Sequence, residues 1–369
     1  RLSYGKTGNQ AIGVNQTATL DNSVRYPFEG ISTIGVVAST LGNANLHWES
    51  TEGFNAGIDF SVIKNRITGS IDVYHTRTSD ILLKRNLPTI TGYNSVWDNL
   101  GITANKGIEV TLNTKNINGR NFKWESLIAF SANQNKIVDL YGDKKSDIGN
   151  RWFIDHPISV IYDYKLLGVW QTGEDASKVD PGAKPGDLKF ADINGDGKIT
   201  PDKDKVILGQ TAPKWIGSFT NTFNYKNWHL NIFIQTAQGM LKNNPDLNYV
   251  DESGRRNTPE EIGYWTPTNK NNTRPALSYT NTRGYGYPSD ASYTRIKDVT
   301  LSYIFSGNIL DKIKLGSLTL YVSGRNLYTF TKWIGWDPEN DYSMRGSGNW
   351  TNNYPVVRSV VFGANISLR

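Results

Sequence analysis

The feature that most constrains this chain is an alternation of apolar and polar residues that recurs along its whole length. It is clear in residues 56–62, which read AGIDFSV, and in residues 360–368, which read VVFGANISL. Because successive side chains of a β-strand point to opposite faces, the pattern predicts strands with one apolar and one polar face. It recurs in the following segments: 67–73, 108–113, 122–130, 219–223, 230–234, 299–303 and 318–322. The chain is predicted to hold roughly ten to twelve strands, each near the length that crosses a bilayer at a tilt.

The connections between these segments are of two kinds. Short turns are predicted at residues 63–66, 116–121 and 225–227. Long connections are predicted at residues 74–105, 133–214 and 239–293. Outer-membrane barrels have short turns at one end and long loops at the other, whereas a soluble sandwich has no reason to gather its long loops at one end. The pattern favours an all-β fold, a transmembrane antiparallel β-barrel with long extracellular loops, over a soluble extracellular module that binds carbohydrate or peptide.

The composition agrees with such a barrel. Only 37% of the 369 residues are hydrophobic, which is low for one thick core and suits a fold whose interior is lined by polar residues. No apolar stretch approaches eighteen residues, so no membrane-spanning helix is predicted. The absence of cysteine excludes disulfides and thiolate metal sites. The 40 basic and 34 acidic residues are scattered and form no basic stripe, so nucleic acid is not an expected partner.

Aromatic residues gather near the ends of the predicted strands. They are Trp124, Trp215, Tyr225, Trp228, Tyr328, Trp333 and Trp336. Rings with an apolar body and a polar tip suit the boundary between lipid and water, so these residues are predicted to form aromatic girdles. The alternative is that they are ordinary core residues.

An acidic segment at residues 192–204, DINGDGKITPDKD, resembles a calcium-binding loop. Its first half places oxygen-bearing side chains at alternate positions, followed by Gly197 where the sharp turn needs a glycine. Its second half departs from the pattern, because Lys203 stands where a bidentate acid is expected. The candidate ligands of a Ca²⁺ ion are Asp192, Asn194, Asp196, Lys198 through its carbonyl, Asp202 and Asp204. The alternative is a metal-free turn, since Asn, Asp and Gly also favour turns on their own.

No arrangement of residues points to catalysis. The histidines His47, His75, His156 and His229 show no metal-ligand spacing, and the chain has neither a nucleophile elbow nor a phosphate-binding loop. No pair of acids stands out as a glycosidase pair. The chain is therefore not expected to be an enzyme, and a surface hydrolase is the least favoured of the three hypotheses.

Seven segments carry a family resemblance. They are RLSYGKTGNQ from residue 1, LHWESTEGFNAGIDFSVIKNRITGSIDVYHTRTSDILL from 46, LPTITGYNSVWDNLGITANKGIEVTL from 87, GDLKFADINGDGKITPDKDKVILGQTAPKWIGSFTN from 186, TRIKDVTLSYIF from 294, VSGRNLYTFTKWIGWDPE from 322 and YPVVRSVVFGANISLR from 354. In this order they resemble the C-terminal barrel portion of the SusC/RagA-like TonB-dependent outer-membrane transporters of Bacteroidetes. The resemblance covers residues 1–369, with residues 186–209 as an acidic loop inside an extracellular connection.

The resemblance implies a barrel of roughly 22 strands whose lumen is filled by an N-terminal plug. It also implies a SusD-like surface lipoprotein as partner, energy from TonB acting through the plug, contact with outer-membrane lipid, and import of large glycans or peptides. The plug and the N-terminal barrel strands are not among these residues. On this interpretation a Ca²⁺ ion would stiffen a long loop near the lipoprotein.

Aromatic residues in the long connections are candidates for stacking on sugar rings or peptide side chains. They are Trp97, Trp152, Tyr285, Tyr287 and Trp350. The alternative is that they pack the loops against one another. Trp265, in the segment YWTPTNKNNTRP, is predicted to be architectural.

Overall fold

The regular secondary structure of the described residues is almost entirely β-strand. The computed structural model describes residues 1–9, 20–21, 24–38, 40–93, 95–245, 247, 263–305, 310, 315–340 and 355–368. The strands are β1 (Leu2–Asn9), β2 (Leu20–Asp21), β3 (Arg25–Phe28), β4 (Ile31–Ile34), β5 (Val37–Ala38), β6 (Thr40–Leu41), β7 (Glu49–Val62), β8 (Ile67–Asn86), β9 (Ser95–Asn118), β10 (Phe122–Asp139), β11 (Val160–Tyr164), β12 (Leu166–Val169), β13 (Leu188–Phe190), β14 (Lys205–Gln210), β15 (Trp215–Tyr225), β16 (Trp228–Gln238), β17 (Leu241–Asn243), β18 (Pro288–Asp290), β19 (Tyr293–Phe305), β20 (Leu315–Thr331) and β21 (Ser359–Leu368). A 3-10 helix spans Thr89–Thr91, and α1 spans Pro201–Asp204. Among the residues described, no helix has the length and apolar character needed to cross a bilayer.

One large sheet contains eleven of these strands. Its order is β1-β7-β8-β9-β10-β15-β16-β19-β20-β21, and the short β6 pairs with β9. The ten strands of this path thus follow one another in chain order, with the other strands inserted between β1 and β7, β10 and β15, and β16 and β19, as in an up-and-down barrel wall. The remaining strands form two-stranded ribbons: β11 with β14, β12 with β13, β17 with β18, β2 with β5, and β3 with β4. The prediction of an all-β fold with about this number of strands is confirmed.

The chain divides into two compact units. The first comprises Arg1–Phe60, Gly69–Val110 and Ser131–Ile158. The second comprises Ser61–Thr68, Thr111–Phe130 and Ser159–Arg369.

In the second unit, the registers of five successive strands separate an apolar face from a polar face. One row of directly paired residues crosses β15, β16, β19, β20 and β21 as Phe223, Leu230, Leu301, Val322 and Phe362. The adjacent row, one residue away on each strand, is Thr222, Asn231, Thr300, Ser323 and Val361. Paired residues share a face and adjacent residues do not, so the alternation read from the sequence is realised as two chemically different surfaces. The apolar row is partly exposed along its length, from intermediate burial at Phe223, Leu230 and Val322 to 79% exposure at Phe362.

In the first unit, β1 lies antiparallel to β7, with Leu2 opposite Ala56 and Tyr4 opposite Phe54. The Arg1 guanidinium forms salt bridges of 2.7 Å to Asp59 and 3.0 Å to Asp72. Asp59 is one residue away from the apolar positions of β7. The carboxylates that Arg1 contacts are therefore on the polar face, whereas the Lys6–Glu52 pair (3.1 Å) lies on the same face as Tyr4 and Phe54.

A chain of hydrogen bonds crosses three strands in the second unit and lies on its apolar face. The Thr114 hydroxyl donates to Asn116 Oδ1 (2.9 Å), and Asn116 Nδ2 donates to Ser126 Oγ (2.7 Å). Ser126 Oγ and Trp124 Nε1 both donate to Asn221 Oδ1 at 2.8 Å. Asn221 is directly paired with Ile232, and Trp124 stacks on Phe223 with ring centroids 5.6 Å apart. We call these five linked residues, 114, 116, 124, 126 and 221, the polar relay.

One predicted connection is shorter than expected. Residues 74–105 were expected to be a long loop, but β8 continues to Asn86 and β9 begins at Ser95. The prediction is wrong because the backbone ladder continues where the side chains no longer alternate. The Asn99 amide, for example, donates to the carbonyl oxygens of His47 (2.7 Å) and Asp80 (2.9 Å), so polar side chains take part in holding the strands together.

The aromatic girdle stays a prediction. Tyr225, Trp228 and Tyr328 are about half exposed, between 47% and 53%, which is compatible with it, whereas Trp336, 62% exposed, lines a cavity described below. Trp333 is buried at 6% in a cluster with Ala237, Met240, Ala291 and Tyr293. It is a core residue because the segment after β20 folds back against β19 instead of leaving the sheet.

Candidate functional site

The long connections of the second unit fold around a core of their own. Its buried members are Tyr164, Val169, Leu188, Phe190, Leu247, Trp265, Tyr279, Tyr285 and Tyr287. The ribbons β11–β14 and β12–β13 supply the scaffold, because short paired strands satisfy the backbone groups that such a core buries. Trp265 donates its Nε1 hydrogen to Gln171 Oε1 (2.9 Å) and packs within this core, so its architectural role is confirmed.

A cavity of about 730 Å³ opens beside this core. The described residues that line it are Leu166, Leu247, Gly263, Asn271, Thr273, Arg274, Tyr285, Tyr287, Pro288, Ser289, Trp333, Ile334, Gly335 and Trp336. Four aromatic rings and one guanidinium are among them, and no carboxylate is among the described lining residues. A concave site with apolar walls and a few polar groups is the usual form of a small-ligand site, and this volume falls in the usual range.

Tyr287 occupies a strained position in the cavity wall. Its backbone φ is 51°, in the left-handed region that non-glycine residues rarely adopt. Its side chain is 4% exposed, and among the described residues its hydroxyl has no hydrogen-bond partner. The Arg274 guanidinium lies 5.4 Å from its ring centroid, within the range of a cation–π contact. Such strain persists only where surrounding contacts impose it, and it clusters at ligand sites.

Tyr285 is held nearby by the loop backbone. Its amide donates to Asn281 Oδ1 (2.9 Å), and the Asn281 amide donates back to its carbonyl (2.8 Å). Burial, and then the charge of Asp163, raise the pKa of Tyr285 above its usual value. The hydroxyl therefore stays protonated, and the side chain acts as a neutral aromatic surface.

An ionic cluster fixes the cavity wall that carries Trp336. Arg295, only 1% exposed, donates to Asp337 (2.7 Å) and to Glu339 (2.5 Å), and Lys297 also reaches Glu339 (3.0 Å). Arg295 and Lys297 are on β19, whereas the two acids follow β20. The cluster therefore ties the segment after β20 to the sheet.

The structure brings together only some of the predicted contact residues. Tyr285 and Tyr287 both line the cavity. Trp97 and Trp152 belong to the first unit, where Trp97 is part of β9 and Trp152 pairs with Asp147 through backbone hydrogen bonds of 2.7 and 2.9 Å. Trp350 lies outside the described residues. Their role in substrate contact stays a prediction.

Sequence reasoning missed several lining residues. Arg274 and Asn271 were not singled out, and Trp333 and Trp336 were assigned to a membrane girdle. A signal was available in the segment KWIGWDPE, residues 332–339, where charged residues stand on both sides of the aromatic pair. Such flanking charges suit a polar loop end better than a lipid boundary.

The acidic loop is a compact turn held by its own side chains. The Asp192 carboxylate accepts from the amides of Gly195 and Gly197, both at 2.8 Å. Asp196 accepts from Lys203 Nζ and Asn194 Nδ2, both at 2.8 Å. The Lys203 ammonium, and then the Asn194 amide, lower the pKa of Asp196 below its usual value.

Asp204 returns to the start of this loop. It is fully buried, and its carboxylate accepts from the amides of Ile193 (2.8 Å) and Thr200 (2.7 Å) and from the Thr200 hydroxyl (3.3 Å). The short helix α1 produces this return. Asp202 is exposed on the same helix.

Within the described ranges, no group of three or more His, Asp or Glu side chains is arranged to hold a metal ion. Lys203 stands at the twelfth position of the loop, where a calcium-binding loop carries an acid that reaches the ion. In the acidic loop, the Asp192, Asn194 and Asp196 side chains fit the first half of a calcium site, and Lys198 offers its carbonyl. Calcium binding stays a prediction.

Comparison with known proteins places the chain in a family. Residues 1–327 match the family model of the TonB dependent receptor-like β-barrel. TonB-dependent receptor P3 of Formosa agariphila is 34% identical over 99% of this chain, and TonB-dependent receptor SusC of Bacteroides thetaiotaomicron is 28% identical over 99%. The RagAB peptide importer in its open-open state aligns with a TM-score of 0.78 and 26% identity over all of this chain.

The chain spans about 40% of the length of these relatives, namely 39% of P3, 37% of SusC and 40% of the matched RagAB chain. The matched portion is the barrel, which agrees with the large antiparallel sheet and with an outer-membrane location. The extent of the family match, together with the identity to P3, decides against a soluble β module. The chain belongs to the TonB-dependent receptor-like β-barrel family, as a SusC-like member.

Proposed function

We propose that this chain forms the C-terminal part of the barrel of an outer-membrane importer of large nutrients, glycan oligosaccharides or peptides. In this proposal a SusD-like surface lipoprotein covers the long connections, and TonB supplies energy through a plug in the remainder of the transporter.

The observation that carries the proposal is the separation of faces in β15, β16, β19, β20 and β21. A wall with a continuous apolar row on one side, and with Thr, Asn or Ser on the other side in four of the five strands, suits lipid outside and a polar passage inside. The cavity lies among the long connections, which extend to the extracellular side in barrels of this kind.

One matched structure is described as a peptide importer, which supports an oligomer as the substrate. The cavity is compatible with either kind of substrate, because aromatic rings stack on sugar rings and on apolar side chains alike.

Uptake measured in living cells tests the proposal. The gene is deleted in its own host, and the cells are supplied with fluorescent oligosaccharides and peptides of several lengths. We expect uptake of one class to fall to background, to return when the gene is restored, and to stop when a protonophore removes the energy source. Uptake that is unchanged for every probe after deletion would overturn the proposal.

A cavity variant sharpens this experiment. Trp336→Ala removes a 62% exposed ring from the cavity wall, whereas Trp215→Ala removes a 38% exposed ring at the start of β15, outside the cavity. We expect the first variant to take up its substrate with a raised half-saturation concentration and the second to behave as wild type. When either variant is purified in mild detergent, we expect a surface lipoprotein to be recovered with it.

A further inference from the structure

The short turns of the second unit form one continuous rim. The Lys115 amide donates to the Arg66 carbonyl (2.8 Å), and the Arg66 guanidinium donates to the Asn116 carbonyl (2.6 Å). The Lys226 amide donates to the Asn121 carbonyl (3.0 Å). These bonds join the turns of the β7–β8, β9–β10 and β15–β16 hairpins side by side, so their tips are held in a row.

Each of these three turns carries an exposed cation at its tip. Lys64, Arg120 and Lys226 are all exposed. Lys64 lies between Ile63 and Asn65, and all three have positive φ values of 52° to 61°, a turn that pushes the Lys64 side chain outward. Neighbouring hairpins are about 10 Å apart, twice the spacing of adjacent strands.

These cations have no counter-charge within the protein as described. Some bases in the long connections pair with acids, as Lys189 does with Glu174 (3.0 Å) and Arg283 with Asp180 (2.7 Å). Among the residues described, Lys64, Arg120 and Lys226 form no salt bridge. Glu125 is an acid of β10, near these turns. It is adjacent to Trp124 and Ser126 in sequence, so it lies on the polar face, as Lys123 does.

A layer of aromatic rings, Tyr225, Trp228 and Tyr303, lies beside Lys226 on the apolar face. Tyr225 is paired with Trp228, and the Trp228 ring packs edge-on against Tyr303 with centroids 4.8 Å apart. Lys226 Nζ is 5.5 Å from the Tyr225 ring centroid, so this side chain leans toward the apolar face. Exposed Trp and Tyr rings mark the level of lipid head groups, and a cation just beyond them is at the depth of the phosphates.

We propose that the rim formed by Lys64, Arg120 and Lys226 binds anionic glycerophospholipid head groups of the periplasmic leaflet. Short turns of outer-membrane barrels face the periplasm, where the neighbouring polar groups are phospholipid phosphates. Each cation meets a separate head group, because the three tips are too far apart to share one. The aromatic layer holds the acyl and glycerol region beside them. This inference rests on the outer-membrane location and not on import.

Native mass spectrometry of the protein purified from outer membranes tests the proposal. The protein in detergent is titrated with phosphatidylglycerol or with phosphatidylcholine, and bound lipids are counted. We expect phosphatidylglycerol to be retained in preference, and the triple variant Lys64→Gln, Arg120→Gln, Lys226→Gln to lose this preference. The loss should be about fivefold in affinity per cation, the equivalent of ~1 kcal/mol each.

A matched control variant carries the same charge change in other connections of the chain. It is Lys144→Gln, Lys178→Gln, Lys270→Gln, in which all three lysines are exposed in the long connections. We expect it to retain phosphatidylglycerol like the wild type. Both variants must keep their heat-modifiable migration on gels, which shows that the barrel is folded.

Three results would overturn the proposal. The first is equal retention of the two lipids by the wild type. The second is displacement of the lipid by free glycerol phosphate at similar concentration, which would make the rim a site for soluble phosphate. The third is tight binding of polyglutamate to the wild type without any lipid preference, which would assign the rim to an acidic protein partner.

Discussion

An arginine placed on either side of β16 tests the separation of faces directly. Ile232 is on the apolar face, directly paired with Asn221 and Val299, and is the fifth of the eleven residues Trp228–Gln238. Asn231 is its neighbour on the polar face, where its amide donates to the Thr222 hydroxyl (3.0 Å). The variants Ile232→Arg and Asn231→Arg introduce the same side chain one residue apart.

The expected costs differ because the two side chains meet different solvents. Arginine on the lipid side near the middle of a strand costs about 2–4 kcal/mol in barrel stability. Arginine on the polar side loses one hydrogen bond, about 1 kcal/mol, and stays hydrated. The two variants should therefore differ in stability by at least ~1 kcal/mol, with ~2 kcal/mol as the central value. A difference of ~2 kcal/mol corresponds to a change of roughly thirtyfold in the unfolding equilibrium.

The measurement is the folded fraction in lipid vesicles across a urea series, read from the gel shift between folded and heat-denatured protein. We expect the midpoint of Ile232→Arg to fall well below that of the wild type, and the midpoint of Asn231→Arg to stay close to it. Equal losses in the two variants, or a larger loss for Asn231→Arg, would refute the assignment of the faces.

Three further predictions concern the long connections. Asp204→Ala should lower loop stability by about 3 kcal/mol, because it removes a fully buried carboxylate and leaves the part-buried amides of Ile193 and Thr200 without an acceptor, whereas the exposed Asp202→Ala should change little; hydrogen exchange of residues 192–204 measures both. Added Ca²⁺ should raise the melting temperature, and Asp196→Ala should abolish the rise; equal melting with and without chelator counts against a bound ion. Asp337→Ala should cost about 3 kcal/mol because it removes one partner of the buried Arg295, and thermal melting of the barrel would show it; a melting temperature equal to that of the wild type would contradict this.

Much of the sheet could be predicted from the sequence because its determinant is local. In residues 228–234 of β16 and in β21 every second residue is apolar, and the period alone assigns strand and face. The ends of β8 and β9 were not predictable in this way. Their ladder continues through polar residues whose partners, such as Asn99 with His47 and Asp80, are far away in sequence.

The candidate site was less predictable because it depends on chain reversals. Tyr285 and Tyr287 could be identified as loop aromatics, but not as neighbours of Arg274 or Trp336. The return of Asp204 to Ile193 depends on a four-residue helix, which propensity does not specify. Trp333 was assigned to the lipid boundary because the fold-back after β20 is fixed by Arg295, a charge on another strand.

The polar relay has a consequence for how the wall assembles. It includes Asn221 of β15, which must find its partners Trp124 and Ser126 on β10 although the intervening chain, residues 140–214, is one of the longest excursions in the protein. If β15 docks one residue out of step, Asn221 turns to the opposite side and Trp124 and Ser126 are stranded in hydrocarbon without acceptors. Misaligned docking is thereby disfavoured during insertion. These few hydrogen bonds therefore help to fix the register of β15 against β10, two strands that are far apart in the sequence.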